Sequence, residues 1–135
     1  MSAPQKPVPS PDPATREYWD AAARGELRLP RCTSCRKVHF YPRPACPHCG
    51  GTAFDWPKAS GAGAIYSYTV VQRAPSPAFE ADVPYVVAII ALDEGPHLMS
   101  NVVGVDPSTV RIGQRVQVQF RDAAEDVRVP VFSPA

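Results

Sequence analysis

The sequence has little of what marks a membrane protein, a nucleic-acid reader or a free-standing catalyst. No run approaches the roughly 18 apolar residues that cross a bilayer. The opening, MSAPQKPVPSPDPAT, lacks the charged start and apolar stretch of a secretory signal, so a cytoplasmic protein is expected. Charge of one sign is also missing. The formal net charge is +1, with no acidic tail or lysine-rich arm, so bulk electrostatics names no partner. There is no G-x-S-x-G elbow, no G-x-x-x-x-G-K phosphate loop and no G-x-G-x-x-G fingerprint, and no nucleophile stands out. With 135 residues, the chain has room for one ordinary domain or for two small ones sharing little core.

Proline is abundant and unevenly placed. Five of the first 13 residues are proline, which denies that segment helical hydrogen bonds and predicts an extended, mobile leader over residues 1–12. Asp12-Pro13 suits a helix start, Tyr18, Trp19 and Ala22 share one helical side, and Gly25 supplies a stop, so a short helix is expected over about residues 13–24. Residues 26–60 hold all four cysteines and few long aliphatic side chains, too little to close a core unaided. From Ala64 the composition turns to Val, Ile and Tyr. Five strands are expected there: Ala64–Arg73, Tyr85–Leu92, Leu98–Val105, Arg115–Arg121 and Val127–Phe132. In the fourth, Val116, Val118 and Phe120 alternate with polar residues, marking one wet face, whereas the second is apolar on both faces and so should be central. Asp93-Glu-Gly-Pro96 reads as a tight turn, and Asp106-Pro-Ser-Thr-Val110 as a capped helical turn. Three strands, a helical piece and two more strands is the order of an OB-fold barrel, with another small barrel or a partly open sheet as the alternative. The reading is mostly β: helix and zinc ribbon over residues 13–60, OB-fold over 61–135.

The strongest signal is Cys32-Thr-Ser-Cys35, ten intervening residues, then Cys46-Pro-His-Cys49-Gly-Gly. Each C-x-x-C turn sets two thiolates on one side of a tight loop, and a hairpin through Val38, Phe40 and Tyr41 brings the loops together into a tetrahedral site for structural zinc. Iron fits the same cage, and two disulfides or a redox dithiol are the other uses of four cysteines. Since four cysteines fill four positions, none is open for catalytic water. His39 and His48 lie inside the ribbon and could replace a cysteine as ligand, but with the cysteine set complete they read as exposed loop residues; His97 reads as a turn residue without a role, and Gly61-Ala-Gly63 as a hinge between modules. Arg24, Arg28, Arg31, Arg36, Lys37 and Arg43 face only Glu26 in their stretch, beside Phe40 and Tyr41. Such a cluster suits a phosphate-bearing ligand, either nucleic acid or coenzyme A, or an ordinary solvated surface. The loop Ala74–Pro84 carries Phe79 as its only large apolar group and reads as a docking loop or a stiff connection.

The order of parts resembles a known family. Tyr18-Trp19 with Arg24-Gly25-Glu26-Leu27, the cysteine spacing, Tyr41-Pro-Arg-Pro44, Pro84-Tyr-Val-Val87, Leu92-Asp-Glu-Gly95, Ser100-Asn-Val-Val-Gly104, Arg111-Ile-Gly-Gln-Arg-Val116 and Val129-Pro-Val-Phe132 are similar to small bacterial and archaeal proteins long catalogued as a domain of unknown function, which join a rubredoxin-like zinc ribbon to an OB-fold. The likeness runs from about Arg16 to Pro134. It implies a non-catalytic accessory subunit that works beside thiolase-superfamily thiolases or aldolases, including aldolases of steroid side chains, stabilising them and helping to bind coenzyme A. A hot-dog-fold enoyl-CoA hydratase is an alternative partner, and a nucleic-acid-binding OB module an alternative function. On this reading Cys32, Cys35, Cys46 and Cys49 hold the metal, and Arg31, Arg36, Lys37 and Arg43 are candidate contacts to coenzyme A or to acidic groups of a partner.

Overall fold

The structure is a computed structural model that describes residues 5–135. The leader expectation falls partly on residues 1–4, outside the described residues. Residues 5–12 form no helix or strand, and Lys6 reaches the body of the protein, where it pairs with Asp82 and lies 5.5 Å from the centre of the Phe79 ring.

Helix α1 spans Arg16–Ala23, shorter at its start than proline placement suggested, because residues 13–15 form a turn instead. That turn is pinned reciprocally: the Asp12 N–H donates to Thr15 Oγ1 and the Thr15 N–H to Asp12 Oδ1, both at 3.0 Å. The helix ends as its sequence indicated. Gly25 adopts φ +80°, its N–H donates to Ala22 O and that of Glu26 to Ala21 O, a Schellman termination that a side chain at Gly25 would strain. Two-residue strands β1 (Arg31–Cys32) and β2 (Phe54–Asp55) pair antiparallel.

Five strands follow: β3 (Ala62–Val71), β4 (Tyr85–Leu92), β5 (His97–Val102), β6 (Arg115–Ala124) and β7 (Val127–Pro134). They close in the order β3-β4-β5-β7-β6, with β6 returning to β3 through Ala62↔Gln117 and Gly63↔Val116. Every pairing is antiparallel except β5 with β7, which meet in parallel at Val102↔Phe132. The barrel is an OB-fold with its short 3₁₀ turn, Pro107–Thr109, where the sequence placed it; Asp106 Oδ1 accepts the Ser108 N–H at 2.9 Å. Strand β4 lies between β3 and β5, as its composition implied. Val86, Ala88, Ile90 and Leu92 point inward, while Val87, Ile89 and Ala91 stay half-buried on the outer surface beside exposed Tyr66 and Met99.

Tyr18, Leu27 and Leu29 join Ile65, Ile90, Leu98, Val116 and Phe132 in one continuous cluster, so the helix and ribbon share the barrel's core. Gly61 and Gly63 are not a free hinge. Gly61 sits at φ +79°, and a Cβ there would stand 2.3 Å from Val118 Cγ1; one on Gly63 would stand 2.8 Å from Ala91 O. Glycine is required for close packing at the barrel's entrance. Gly61→Ala is expected to cost roughly 2 kcal/mol by combining strain with overpacking, read as a lower urea midpoint at unchanged m-value.

Candidate metal centre and the adjoining cleft

Two local loops of the same design build the centre. In the first, the Arg36 N–H donates to Cys32 O (2.8 Å) and the Cys32 N–H to Lys37 O (3.0 Å); in the second, the Gly50 N–H donates to Cys46 O (2.9 Å) and the Cys46 N–H to Gly51 O (2.7 Å). The residue after each second cysteine is left-handed, Arg36 at φ 66° and Gly50 at φ 79°. Gly50 takes that conformation at no steric cost, and Arg36 holds it because the loop's hydrogen bonds over-determine it. The expected hairpin through Val38, Phe40 and Tyr41 is only partly realised: Val38 makes a single bridge to Arg31, and the ladder that joins the loops is β1 with β2.

The loops bring the four sulfurs within 4.8 Å of one another. Cys32 and Cys49 stand 3.5 Å apart, and Cys35 and Cys46 3.7 Å. A disulfide needs about 2.05 Å, so the four are free thiols. A regular tetrahedron with zinc–sulfur bonds of about 2.3 Å has edges of about 3.8 Å, which matches these separations. The sulfurs differ in proton affinity. Cys32 is drawn down to about 6, first by the backbone N–H of Cys35 and then by that of Ser34. At Cys49 the Gly51 N–H acts to lower the value, but hydrogen bonds with the Cys32, Cys35 and Cys46 thiols outweigh it and leave the group at about 11. Four crowded sulfurs do not all ionise unaided; a divalent cation held there would supply the compensating charge.

Gly51 closes the centre, since a Cβ on it would stand 3.0 Å from Cys32 Sγ and 3.4 Å from Cys49 Sγ. Gly51→Ala is expected to weaken metal binding about tenfold in chelator competition. Gly50→Ala has nothing within 4 Å and should cost about 1 kcal/mol of backbone strain without moving metal affinity.

The basic cluster disperses on folding. Arg28 binds Glu26 (2.7 Å), Arg24 lies 4.0 Å from the same carboxylate, and Arg31 makes a bidentate pair with Asp55 at 2.9 and 2.8 Å across β1 and β2. That pair holds the Asp55 carboxyl below the usual range, mainly through the Arg31 hydrogen bond. Arg36, Lys37 and Arg43 remain, with no ion pair among the described residues. All three line a cleft of about 640 Å³ between ribbon and barrel, together with His39, His48 and His97. Arg31 stands outside that cleft.

Two of these positions correct the sequence reading. His39 is buried, 4% exposed, because its ring packs edge-on to Phe54 with centroids 5.4 Å apart; burial lowers its proton affinity, helped by His48 and Arg43 nearby. His97 begins β5 rather than lying free in the turn, its ring tilted 43° against that of Tyr66 with centroids 4.5 Å apart, and it lines the cleft shared with the ribbon. His48 is exposed, as expected.

The two halves match two family models: residues 19–55 the ChsH2 rubredoxin-like zinc ribbon domain, and residues 56–121 the ChsH2 C-terminal OB-fold domain. A DUF35 domain-containing scaffold protein of Methanocaldococcus jannaschii is 43% identical over 97 residues, 71% of this chain and 68% of that protein. The chain belongs to the ChsH2, or DUF35, family. Among solved structures, the Ltp2-ChsH2(DUF35) aldolase contains a chain 38% identical to this one, with a TM-score of 0.84, covering 93% of this chain and 98% of that one. A probable enoyl-CoA hydratase alpha subunit of Thermomonospora curvata is 38% identical over 130 residues, which is 96% of this chain but 40% of the relative's length. The family match fixes the ribbon and the barrel as a zinc ribbon domain and an OB-fold, with four cysteines positioned for a metal. Among the described residues, no helix is long and apolar enough to cross a membrane.

Proposed function

We propose that the chain is a non-catalytic accessory subunit of a heteromeric acyl-CoA enzyme, a thiolase-superfamily thiolase or aldolase, that it carries structural zinc on Cys32, Cys35, Cys46 and Cys49, and that it helps to hold coenzyme A. The observation that carries this reading is the likeness, along almost the whole of both chains, to the ChsH2(DUF35) component of a solved aldolase. The scaffold name of the archaeal relative supports the same role. Zinc fits the four-sulfur geometry, and a site with all four positions filled is a structural one. A fixed ribbon would present a rigid surface, lowering the ordering cost of a stable interface of roughly 1,600 Å². The half-buried outer residues of β4, flanked by Tyr66 and Met99, offer apolar area for such a contact.

Arg36, Lys37 and Arg43 are the residues assigned to coenzyme A phosphates, while Arg31 is committed to Asp55. Dispersal of Arg24, Arg28 and Arg31 into local ion pairs weighs against a nucleic-acid groove. The hydratase name of the Thermomonospora relative favours a second reading, in which the partner is a hot-dog-fold enoyl-CoA hydratase. Reconstitution separates the two. Adding the chain to the purified partner should raise cleavage of an acyl-CoA if the partner is thiolase-like, or hydration of an enoyl-CoA if it is a hydratase. A partner that turns over equally well without the chain in both assays would defeat the accessory role.

A further inference from the structure

Sulfurs that hold a metal can also be oxidised, and the two cysteine loops do not offer theirs equally. Cys32 and Cys46 are buried and Cys35 is half-buried, whereas Cys49 is exposed within a run, Pro47 to Gly50, that lies open to solvent. A metal-bound thiol is deprotonated outright, so access rather than acidity decides which of the four meets a small oxidant first. That sulfur is Cys49. The sulfur it contacts belongs to the other loop: Cys32 Sγ stands 3.5 Å away, and the remaining two, Cys35 and Cys46, meet across the loops at 3.7 Å. A disulfide needs about 2.05 Å, so each pair has to close by about 1.5 Å. Gly51 leaves the space beside the first pair open, since a Cβ there would stand 3.0 Å from Cys32 Sγ and 3.4 Å from Cys49 Sγ.

We propose that the centre is a peroxide-sensitive modification site, in which Cys49 is the sulfur that reacts first and Cys32 is its resolving partner. The Cys49 thiolate attacks one oxygen of hydrogen peroxide. A sulfur–oxygen bond forms, the oxygen–oxygen bond breaks, and the departing hydroxide takes a proton to become water, leaving a sulfenic acid. The Cys32 thiolate then attacks that sulfur, the sulfur–oxygen bond breaks, and a second hydroxide leaves as water. The two sulfurs have together lost two electrons, and the peroxide has gained them. With two of four thiolates consumed the metal loses its hold, and a second equivalent of peroxide joins Cys35 to Cys46. The two bonds are nested, one linking residues 17 apart and the other residues 11 apart, so they restrain the unfolded ribbon in place of the metal. Oxidation therefore exchanges the ion for two covalent staples instead of melting the ribbon. This inference rests on the zinc reading under Proposed function and uses neither the basic residues nor coenzyme A.

The test treats the full zinc-loaded chain, its zinc content fixed beforehand by elemental analysis, with one and two equivalents of hydrogen peroxide. Released zinc is followed with a chromogenic chelator, and the sulfurs by mass spectrometry after digestion with trypsin, which leaves Cys32 and Cys35 on one peptide and Cys46 and Cys49 on another. Early trapping with dimedone is expected to label Cys49 about fivefold or more over any other cysteine. At completion the two peptides should be joined, with fragmentation placing the bonds at Cys32–Cys49 and Cys35–Cys46. Hydrogen exchange should show protection kept at Cys46 and Gly50 in the oxidised, zinc-free chain, and lost when dithiothreitol reduces it in the presence of chelator. First labelling at Cys32, Cys35 or Cys46, separate peptides each carrying a disulfide within its own loop, or zinc release with no disulfide formed would overturn the proposal. Less than one equivalent of zinc at the outset contradicts the metal reading itself, a failure seen before any peroxide is added.

Discussion

Cys32→Ser should release the metal and unfold the ribbon. Apparent binding free energies of structural zinc sites are about 10–16 kcal/mol, and the ribbon's own apolar content is too small to replace them. Cys32 is fully buried and begins the first loop, where its N–H and C=O hold Lys37 and Arg36. Its loss breaks the metal's coordination and the loop's backbone network together. One equivalent of zinc per wild-type chain and none in the variant is the expected elemental analysis. Hydrogen exchange should show lost protection at Cys46 and Gly50, with protection kept at Ile90 in the middle of the barrel. Chelation of the wild-type protein should reproduce that pattern. Because Leu27 and Leu29 belong to the shared core, the barrel should survive with a lowered melting temperature rather than unchanged. Full protection of Cys46 and Gly50 in the metal-free variant would show that the ribbon holds itself.

Phe132→Ala should cost about 3–5 kcal/mol, the ordinary range for deleting a buried aromatic ring. The residue is fully buried, and its backbone sits at the closure of the barrel. It pairs with Val118 on β6 and with Val102 on β5, and its carbonyl accepts the Val103 N–H at 2.7 Å. A cavity here lies between the strands that complete the sheet, where backbone hydrogen bonds limit collapse. Equilibrium urea unfolding reads the loss directly. A shift under 1 kcal/mol would mean that the barrel closes without this ring.

The parts of this fold that were legible in the sequence are those governed by short-range periodicity. Alternation of Val116, Val118 and Phe120 located β6, the unbroken run Tyr85–Leu92 located β4, and the paired C-x-x-C turns located the metal centre. What escaped depends on contacts between distant segments. The two-residue strands β1 and β2 are too short to carry a period and are set by pairing across more than 20 residues. Arg31 looked like one cation among six until Asp55 was brought beside it. His39 looked like a loop residue because no local rule reveals that Phe54 covers it, and His97 joins the cleft only when the β4–β5 turn packs near the ribbon. Gly61 and Gly63 looked like punctuation, yet the neighbouring strands leave no space for a side chain at either.

The most direct measurement is a comparison of two baits in the native cell: the tagged wild-type chain and Cys32→Ser, each captured under identical conditions and its companions quantified by mass spectrometry. The account predicts an acyl-CoA enzyme subunit in near-stoichiometric yield with the wild-type chain and its loss with the variant. An equal yield with both baits, or no acyl-CoA enzyme with either, would contradict it.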